Sequence, residues 1–229
     1  MRLDKFLSEA KVASRKELRA MIRAGRVTVD GAAAKSPEEK IDEHCQQVAV
    51  DGEPVALPGT LVLMLNKPAG FVTSTQDPRD KTVMELLPET YRALGLKPVG
   101  RLDKETEGLL LFTNDGVLAH RLTSPKHQVE KEYFARTEFP VDADDVAAFR
   151  EGIELRDGTW CLPAELIPGE TGCHVVVREG KYHQVRRMLA SRGKPVIYLR
   201  REREGNLTLA GLPLGQWRIL TPEDMGKLL

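Results

Sequence analysis

Gly100-Arg101-Leu102-Asp103-Lys104-Glu105-Thr106-Glu107-Gly108-Leu109-Leu110-Leu111-Phe112-Thr113-Asn114-Asp115-Gly116 reads as a carboxylate-bearing loop that runs into an apolar strand closed by an Asn-Asp-Gly turn. The turn residues are structural: Asn and Asp side chains bond their own backbone, and glycine reaches positive φ without strain. Asp103 stands at the entrance of the strand. An aspartate there serves as a turn or capping residue or as a catalytic carboxylate, and the segment alone leaves both open. Outward from it, residues 61–65, 109–113, 133–137, 175–178, 196–199 and 216–220 predict strands, while 82–94, 117–122, 143–152 and 181–192 predict helices. Their order is not a regular βαβ repeat, which points to an α+β fold with a mixed, largely antiparallel sheet.

The N-terminal stretch has a different character. Leu3, Phe6, Leu7 and Ala10 fall at helical spacing, and Ser14 with Glu17 forms a capping-box pattern that opens a second helix with Leu18, Met21 and Ile22 on its apolar side. Gly25 is a natural stop. Arg15, Arg19 and Arg23 recur every fourth residue and so form one stripe, with Lys16 and Arg26 beside it. Val27-Thr28-Val29 and Val48-Ala49-Val50 follow as short strands, each ended by an Asp-Gly turn. Two prolines and a glycine between residues 54 and 60 mark a linker. The expected division is 1–59 and 60–229.

The chain has 229 residues, enough for two unequal domains with cores of their own. With 41% hydrophobic and 30% charged residues it reads as an ordinary soluble protein, and no apolar run is long enough to span a bilayer. Arg2, Asp4 and Lys5 follow Met1 with no apolar h-region after them, so the expected location is cytoplasmic. The three cysteines are Cys45, Cys161 and Cys173. They form no C-x-x-C pair, and the histidines are scattered, so neither disulfides nor a metal site is expected. The net charge is zero, but residues 1–30 carry eight Lys/Arg against four Asp/Glu, and residues 178–203 carry nine against two. Two basic regions diluted by acidic surface elsewhere suit a protein that presents a positive track to phosphates; two solvated faces would look the same.

Two further segments hold candidate functional groups. Glu179-Gly180-Lys181-Tyr182-His183-Gln184-Val185-Arg186-Arg187-Met188 places several donors near a helix start. Arg186 there can pair with an acid, bind a phosphate or be solvated; beside Asp103 it would favour the ionised carboxylate. In Glu130-Lys131-Glu132-Tyr133-Phe134, alternation sends Lys131, Tyr133 and Ala135 to one face and Glu132 and Phe134 to the other. Tyr133 is a core residue or a ligand contact.

The Gly100–Gly116 segment resembles the catalytic motif of the RsuA-like branch of pseudouridine synthases. Three further stretches resemble that family in the same order: Asn66-Lys67-Pro68-Ala69-Gly70, Lys131-Glu132-Tyr133, and Gly180 to Met188. Arg2-Leu3-Asp4-Lys5-Phe6 and Arg26-Val27-Thr28-Val29-Asp30-Gly31 are similar to the S4-like RNA-binding domain that precedes the catalytic domain in this family. The resemblance therefore spans the whole chain. It implies an S4-like domain over 1–59 and a synthase domain over 60–229 that isomerises uridine to pseudouridine without a cofactor or metal. The absence of a P-loop or dinucleotide fingerprint agrees with that.

By the same resemblance, Asp103 is the catalytic carboxylate, Tyr133 stacks on the base and helps remove its C5 proton, and Arg186 is the partner of Asp103. Arg101, Lys67, Tyr182, His183, Gln184 and Arg187 are the implied substrate contacts, with Lys67 shaping the site rather than reacting. From charge and spacing, Arg2, Lys5, Arg15, Lys16, Arg19, Arg23, Arg26, Arg201 and Arg203 are the expected RNA contacts, with Arg15, Arg19 and Arg23 holding phosphates remotely and Arg186, Arg187, Arg200, Arg201 and Arg203 lining the catalytic cleft. Glu105 and Glu107 are expected on the loop surface. Met64-Leu65-Asn66-Lys67-Pro68, Tyr182-His183-Gln184-Val185 and Arg201-Glu202-Arg203 resemble the small-subunit branch, although Arg200 stands where a histidine is expected and Arg186 where that branch can use lysine. The implied substrate is 16S ribosomal RNA at uridine 516, in an assembling small subunit, and the implied state is a monomer with no membrane partner. A 23S-directed synthase and a non-catalytic assembly factor are the competing readings.

Overall fold

Ser14 accepts from the backbone N–H of Glu17 while the Glu17 carboxylate takes the N–H of Ser14, so the N-terminal helix pair is set by local chemistry. A computed structural model describes every residue except 44, 58 and 229. It divides into two compact units, Met1–Gly59 and Thr60–Leu229. In the first, α1 (Leu3–Glu9) and α2 (Arg15–Arg23) pack Leu3, Phe6, Leu7, Leu18 and Ile22 against Val27, Val29 and Val48. Strands β1 (Val27–Val29), β2 (Ala32–Ala33), β3 (Val48–Val50) and β4 (Glu53–Val55) form an antiparallel sheet in the order β2-β1-β3-β4. The Asp30-Gly31 and Asp51-Gly52 turns have positive φ at both residues, the requirement of a tight hairpin turn. The linker expected over 54–60 is shorter than that, because Pro54 lies in β4, an edge strand where a missing N–H is tolerated. Position 58 lies outside the described residues.

The second unit starts with β5 (Val62–Lys67). The helix expected over 82–94 is instead a 3₁₀ turn (Val83–Leu86) followed by α3 (Glu89–Ala93). Pro88 accounts for the break: it lacks an N–H and forces Leu87 into extended geometry. Then come β6 (Lys97–Val99), β7 (Glu107–Thr113), α4 (Gly116–Thr123), β8 (Lys131–Thr137) and α5 (Ala143–Glu151). A small hairpin, β9 (Ile153–Glu154) with β10 (Trp160–Cys161), precedes β11 (Glu165–Pro168) and β12 (Cys173–Val177). The chain closes with α6 (Gln184–Ser191), β13 (Val196–Glu204), β14 (Leu207–Thr208), β15 (Trp217–Ile219) and α7 (Pro222–Gly226).

Among the described residues the main sheet has nine strands in the order β11-β12-β8-β13-β7-β5-β15, with β14 on β13 and β6 on β7. Only β13 and β7 pair in parallel, so the sheet is mixed and largely antiparallel. The unalternating run 109–112 is explained by burial on both faces. Leu109 and Leu111 pack with Met64, Leu118 and Leu122, whereas Leu110 and Phe112 pack with Leu63, Leu65 and Val83. A third cluster joins β8, β12 and β13 to α5 and α6 through Ala135, Phe149, Val175, Met188 and Leu199. Asp115 caps α4 by accepting from the N–H groups of Val117 and Leu118. Cys161 and Cys173 are buried and Cys45 is exposed, all three as free thiols. Among the described residues no helix is long and apolar enough to cross a membrane.

Candidate active site

The loop from Gly100 to Thr106 is fixed chiefly through its backbone, so the Asp103 side chain is not what holds it in place. Thr73 Oγ1 donates to the Leu102 carbonyl at 2.7 Å and accepts from its N–H at 3.1 Å. The fully buried Lys67 ammonium donates to the carbonyls of Pro68 at 3.0 Å, Asp103 and Lys104 at 3.1 Å, and Thr106 at 2.8 Å. Lys67 therefore builds the loop and does not face the cleft, which corrects its place among the substrate contacts. Burial pulls its pKa from 10.5 down to about 8, against the pull of Glu105, Asp103 and Glu107.

Lys67→Met strands those carbonyls and is expected to cost about 1–3 kcal/mol or more of stability. Between pH about 8 and 10.5 the unfolded chain holds a Lys67 proton that the folded chain has released, so wild-type stability rises with pH relative to the variant. Urea denaturation across that window checks both, and parallel pH curves for the two proteins would contradict the assignment.

The opposite wall is the segment before α6. The helix expected from 181 begins only at Gln184, because His183 sits in the left-handed region with φ 49° and ψ 33° and acts as its N-cap. Glu179, nearly buried, organises this segment by accepting from the Leu162 N–H at 2.9 Å, Gln184 Nε2 at 2.7 Å and the Lys181 ammonium. Gln184 is thereby a buried brace that also lines the cleft. His183 Nε2 lies 3.2 Å from Asp103 Oδ1, and its ring stacks on the exposed Tyr182 with centroids 3.8 Å apart. The Asp103–Arg186 pair is not formed: the Arg186 guanidinium donates to the carbonyls of Val196 at 3.3 Å and Glu105 at 3.4 Å. Arg187 is held by Asp157 and the Tyr182 carbonyl.

Between the walls lies a cleft of about 380 Å³, within the usual range for small-molecule sites. Arg101, Asp103, Lys131, Tyr133, His183 and Arg201 are among its lining residues. Tyr133 reaches it from β8 and Arg201 from β13, which are opposite one another in the strand register. Burial pushes the Tyr133 phenol pKa up, with Arg201 opposing. Arg201 is buried, and so is no phosphate contact, because its strand faces inward at that position. Arg203 is likewise taken out of the RNA contacts, since it pairs with Glu132 at 2.7 Å and Glu130 at 3.1 Å. Arg200 pairs with Glu202. Glu107 opens β7, not a surface loop, and accepts from the Tyr198 hydroxyl at 2.7 Å.

Alternation along β8 sends Glu132 to the other face of the sheet from Tyr133. There Glu132, His174 and Glu202 bring one ligand atom each within 4.8 Å of the others. Arg203 and Arg200 already pair with the two carboxylates, so the group is an ion-pair ladder without spare negative charge.

In the first unit Arg15, Lys16, Arg19 and Arg23 are exposed on α2 and make no ion pair among the described residues. Arg2 is paired with Asp4 and Glu38, Lys5 approaches Glu9 at 3.7 Å, and Arg26 is paired with Asp51. Sequence reasoning missed Thr73, Glu179 and Glu204. Thr73 meets Leu102, Glu179 meets Leu162 and Glu204 meets Lys131, partners distant in the chain that no local pattern marks, while the nearer contacts of Glu179 to Lys181 and Gln184 and of Glu204 to Arg201 depend on how those backbones turn.

A family model described as RNA pseudouridylate synthase matches residues 61–191, and one described as S4 domain matches residues 1–44. The chain is 43% identical over 235 residues to the ribosomal small subunit pseudouridine synthase A of Escherichia coli (strain K12), with 100% of each covered. It is 41% identical to an RNA pseudouridine synthase of Bacillus subtilis (strain 168), YtzG, described as uncharacterized, covering 100% of this chain and 98% of that one. A crystal structure of a pseudouridylate synthase is similar with a TM-score of 0.71 at 35% identity, over 100% of both chains.

Proposed function

The chain belongs to the RNA pseudouridine synthase family, with an S4 domain ahead of its catalytic domain, and on that premise we propose that it isomerises a uridine of 16S ribosomal RNA, at position 516, using Asp103 as nucleophile. The observation that carries this reading is the meeting of Asp103 and Tyr133 in one cleft inside the segment that matches the synthase family. The 43% identity to a small-subunit enzyme over the full length supports the 16S target.

The reaction breaks the N1–C1′ bond, turns the uracil and joins C5 to the same sugar carbon. It expels the C5 proton and gains one at N1, with no change of oxidation state. The uridine first leaves its stack at a cost of a few kcal/mol, which stacking on an aromatic such as Tyr133 offsets by about 1–3 kcal/mol. Asp103 attacks the sugar or the base, or takes a sugar proton, while the detached uracil is held. Arg101, exposed at the cleft, occupies the gap the base leaves. A glycosidase would use a second carboxylate to activate water and lose the base; the other carboxylate lining this cleft, Glu179, is taken up by the Leu162 N–H, Gln184 and Lys181. The enzyme works as a cytoplasmic monomer on an assembling small subunit.

The α2 stripe supplies remote phosphate contacts, which position RNA without reading its sequence. Changing Arg15, Arg19 and Arg23 together to alanine is expected to weaken RNA binding and to lower the slope of log affinity against log salt by about 1 for each phosphate-binding arginine removed, with kcat at saturating RNA retained. Unaltered affinity at every salt concentration would rule the stripe out. The target is tested by mapping pseudouridine in ribosomal RNA from cells lacking this chain. One missing modification in 16S RNA is expected, a missing 23S modification would redirect the enzyme to the large subunit, and an unchanged map would point to an assembly factor.

A further inference from the structure

Beneath Tyr133 the cleft rests on a layer of charge that the reaction outlined above does not use. Arg201 is 2% exposed and Glu204 1% exposed, on a strand that closes the floor of the cleft. Arg201 Nε donates to the Leu109 carbonyl at 2.8 Å, and its Nη2 lies 3.4 Å from the Glu204 carboxylate. Lys131 approaches Glu204 from β8 at 3.7 Å. Two features make this more than an internal ion pair. First, neither Glu204 oxygen nor Arg201 Nη2 has a hydrogen-bond partner among the described residues, so the cluster is incompletely satisfied. Buried charge of that kind contributes little net stability and is often kept for another role. Second, the strand register sets Arg201 directly opposite Tyr133, which puts the two side chains on one face of the sheet.

We infer that Arg201 is a positioning residue for Tyr133: held from behind by Leu109 and Glu204, its buried guanidinium fixes the phenol oxygen and stabilises the negative charge carried there while Tyr133 takes the C5 proton. The inference rests on the reading of Tyr133 as that proton's acceptor. The proton passes from C5 to the phenolate oxygen, and the C–H electron pair returns to the uracil ring. Tyr133 then releases the proton to water while N1 takes one up, so the isomerisation balances. The titratable and charged groups around Tyr133 are Arg201 and Glu204 from β13 and Asp103 from its loop, with Lys131 on the same strand and Arg101, Arg178, Glu179, Lys181 and His183 along the cleft walls. Arg201 favours the phenolate, while burial, Glu204 and Asp103 oppose it.

The charges therefore predict shifts of opposite sign, which a merely structural role would not produce. Tyrosinate absorbance of the full chain is titrated without RNA, and Tyr133→Phe in each background isolates the Tyr133 signal. Arg201→Met is expected to move its titration up by about 1–3 units, and Glu204→Gln to move it down. The rise of kcat with pH should move in the same two directions. At neutral pH, kcat should fall about tenfold per unit in Arg201→Met, with KM kept within twofold. Arg201→Met leaves Glu204 buried with a weaker partner and can misfold; Glu204→Gln and the double variant, whose titration should still lie above wild type, keep the test open. An unmoved Tyr133 titration, or shifts of the same sign in both single variants, would overturn the inference. Full turnover in Asp103→Asn would instead overturn the proposed reaction, and that result is separate from a titration done without RNA.

Discussion

Asp103→Asn is expected to lower single-turnover pseudouridine formation by at least about 10³-fold while RNA affinity stays within roughly twofold. The size follows from removing the group that reacts, and the retained affinity from how the loop is held. Lys67 and the Thr106 N–H bind the Asp103 carbonyl, and the side chain itself meets the His183 ring. An isosteric amide leaves the backbone contacts in place, so the loop and the cleft survive the change. Filter binding and quenched-flow product analysis on the same protein separate the two quantities. Weakened binding in step with reduced turnover would mean that Asp103 is part of the RNA surface and not of the chemistry.

Gly108→Ala is expected to damage the catalytic unit more than its chemistry suggests. Gly108 has φ +104°, a conformation L side chains rarely adopt, and it pairs with Arg201 across the parallel β7–β13 contact. A Cβ built there would lie 2.1 Å from the Arg201 carbonyl oxygen, 2.8 Å from its nitrogen and 2.9 Å from Arg200 Cγ. Two of these are backbone atoms inside the sheet, so relief requires β13 to move. A loss of about 3 kcal/mol or more is expected, at the upper end for overpacking. For a unit of this size that lowers Tm by roughly 6–12 °C. Since β13 also carries Arg201 into the cleft floor, kcat should fall in the protein that remains folded. Calorimetry checks the stability, and an unchanged Tm would contradict the β7–β13 packing.

The sequence was informative where a property is local. The Ser14–Glu17 capping box, the structural Asn114-Asp115-Gly116 turn and the two-face split of β8 are set by neighbours in the chain, and each was legible from residue type and spacing; that Asp115 also caps α4 appears only in the structure. The break at Pro88 was equally visible, yet a helix read through it over-weighted apolar periodicity against a residue that cannot continue the ladder. Arginine was the weakest guide. Arg201 and Arg203 stand two apart in a basic run, and charge alone suggested phosphate contacts. One is buried beneath Tyr133 and the other is neutralised by Glu130 and Glu132, both consequences of which strands lie beside β13. Lys67 looked like a cleft residue because its motif is adjacent to the site, whereas its four carbonyl partners come from a loop much later in the chain as well as from Pro68. The Asp103–His183 approach depends on a left-handed residue at a helix start, which no propensity identifies in advance.

The most direct test of the central claim is tritium release from RNA labelled at uracil C5, with wild type and Asp103→Asn on 16S RNA, 23S RNA and assembling small subunits. Forming the new carbon–carbon bond must expel that tritium. Release from 16S-containing substrate by the wild type alone is the predicted result, whereas no release from any substrate, with RNA still bound, would contradict the account.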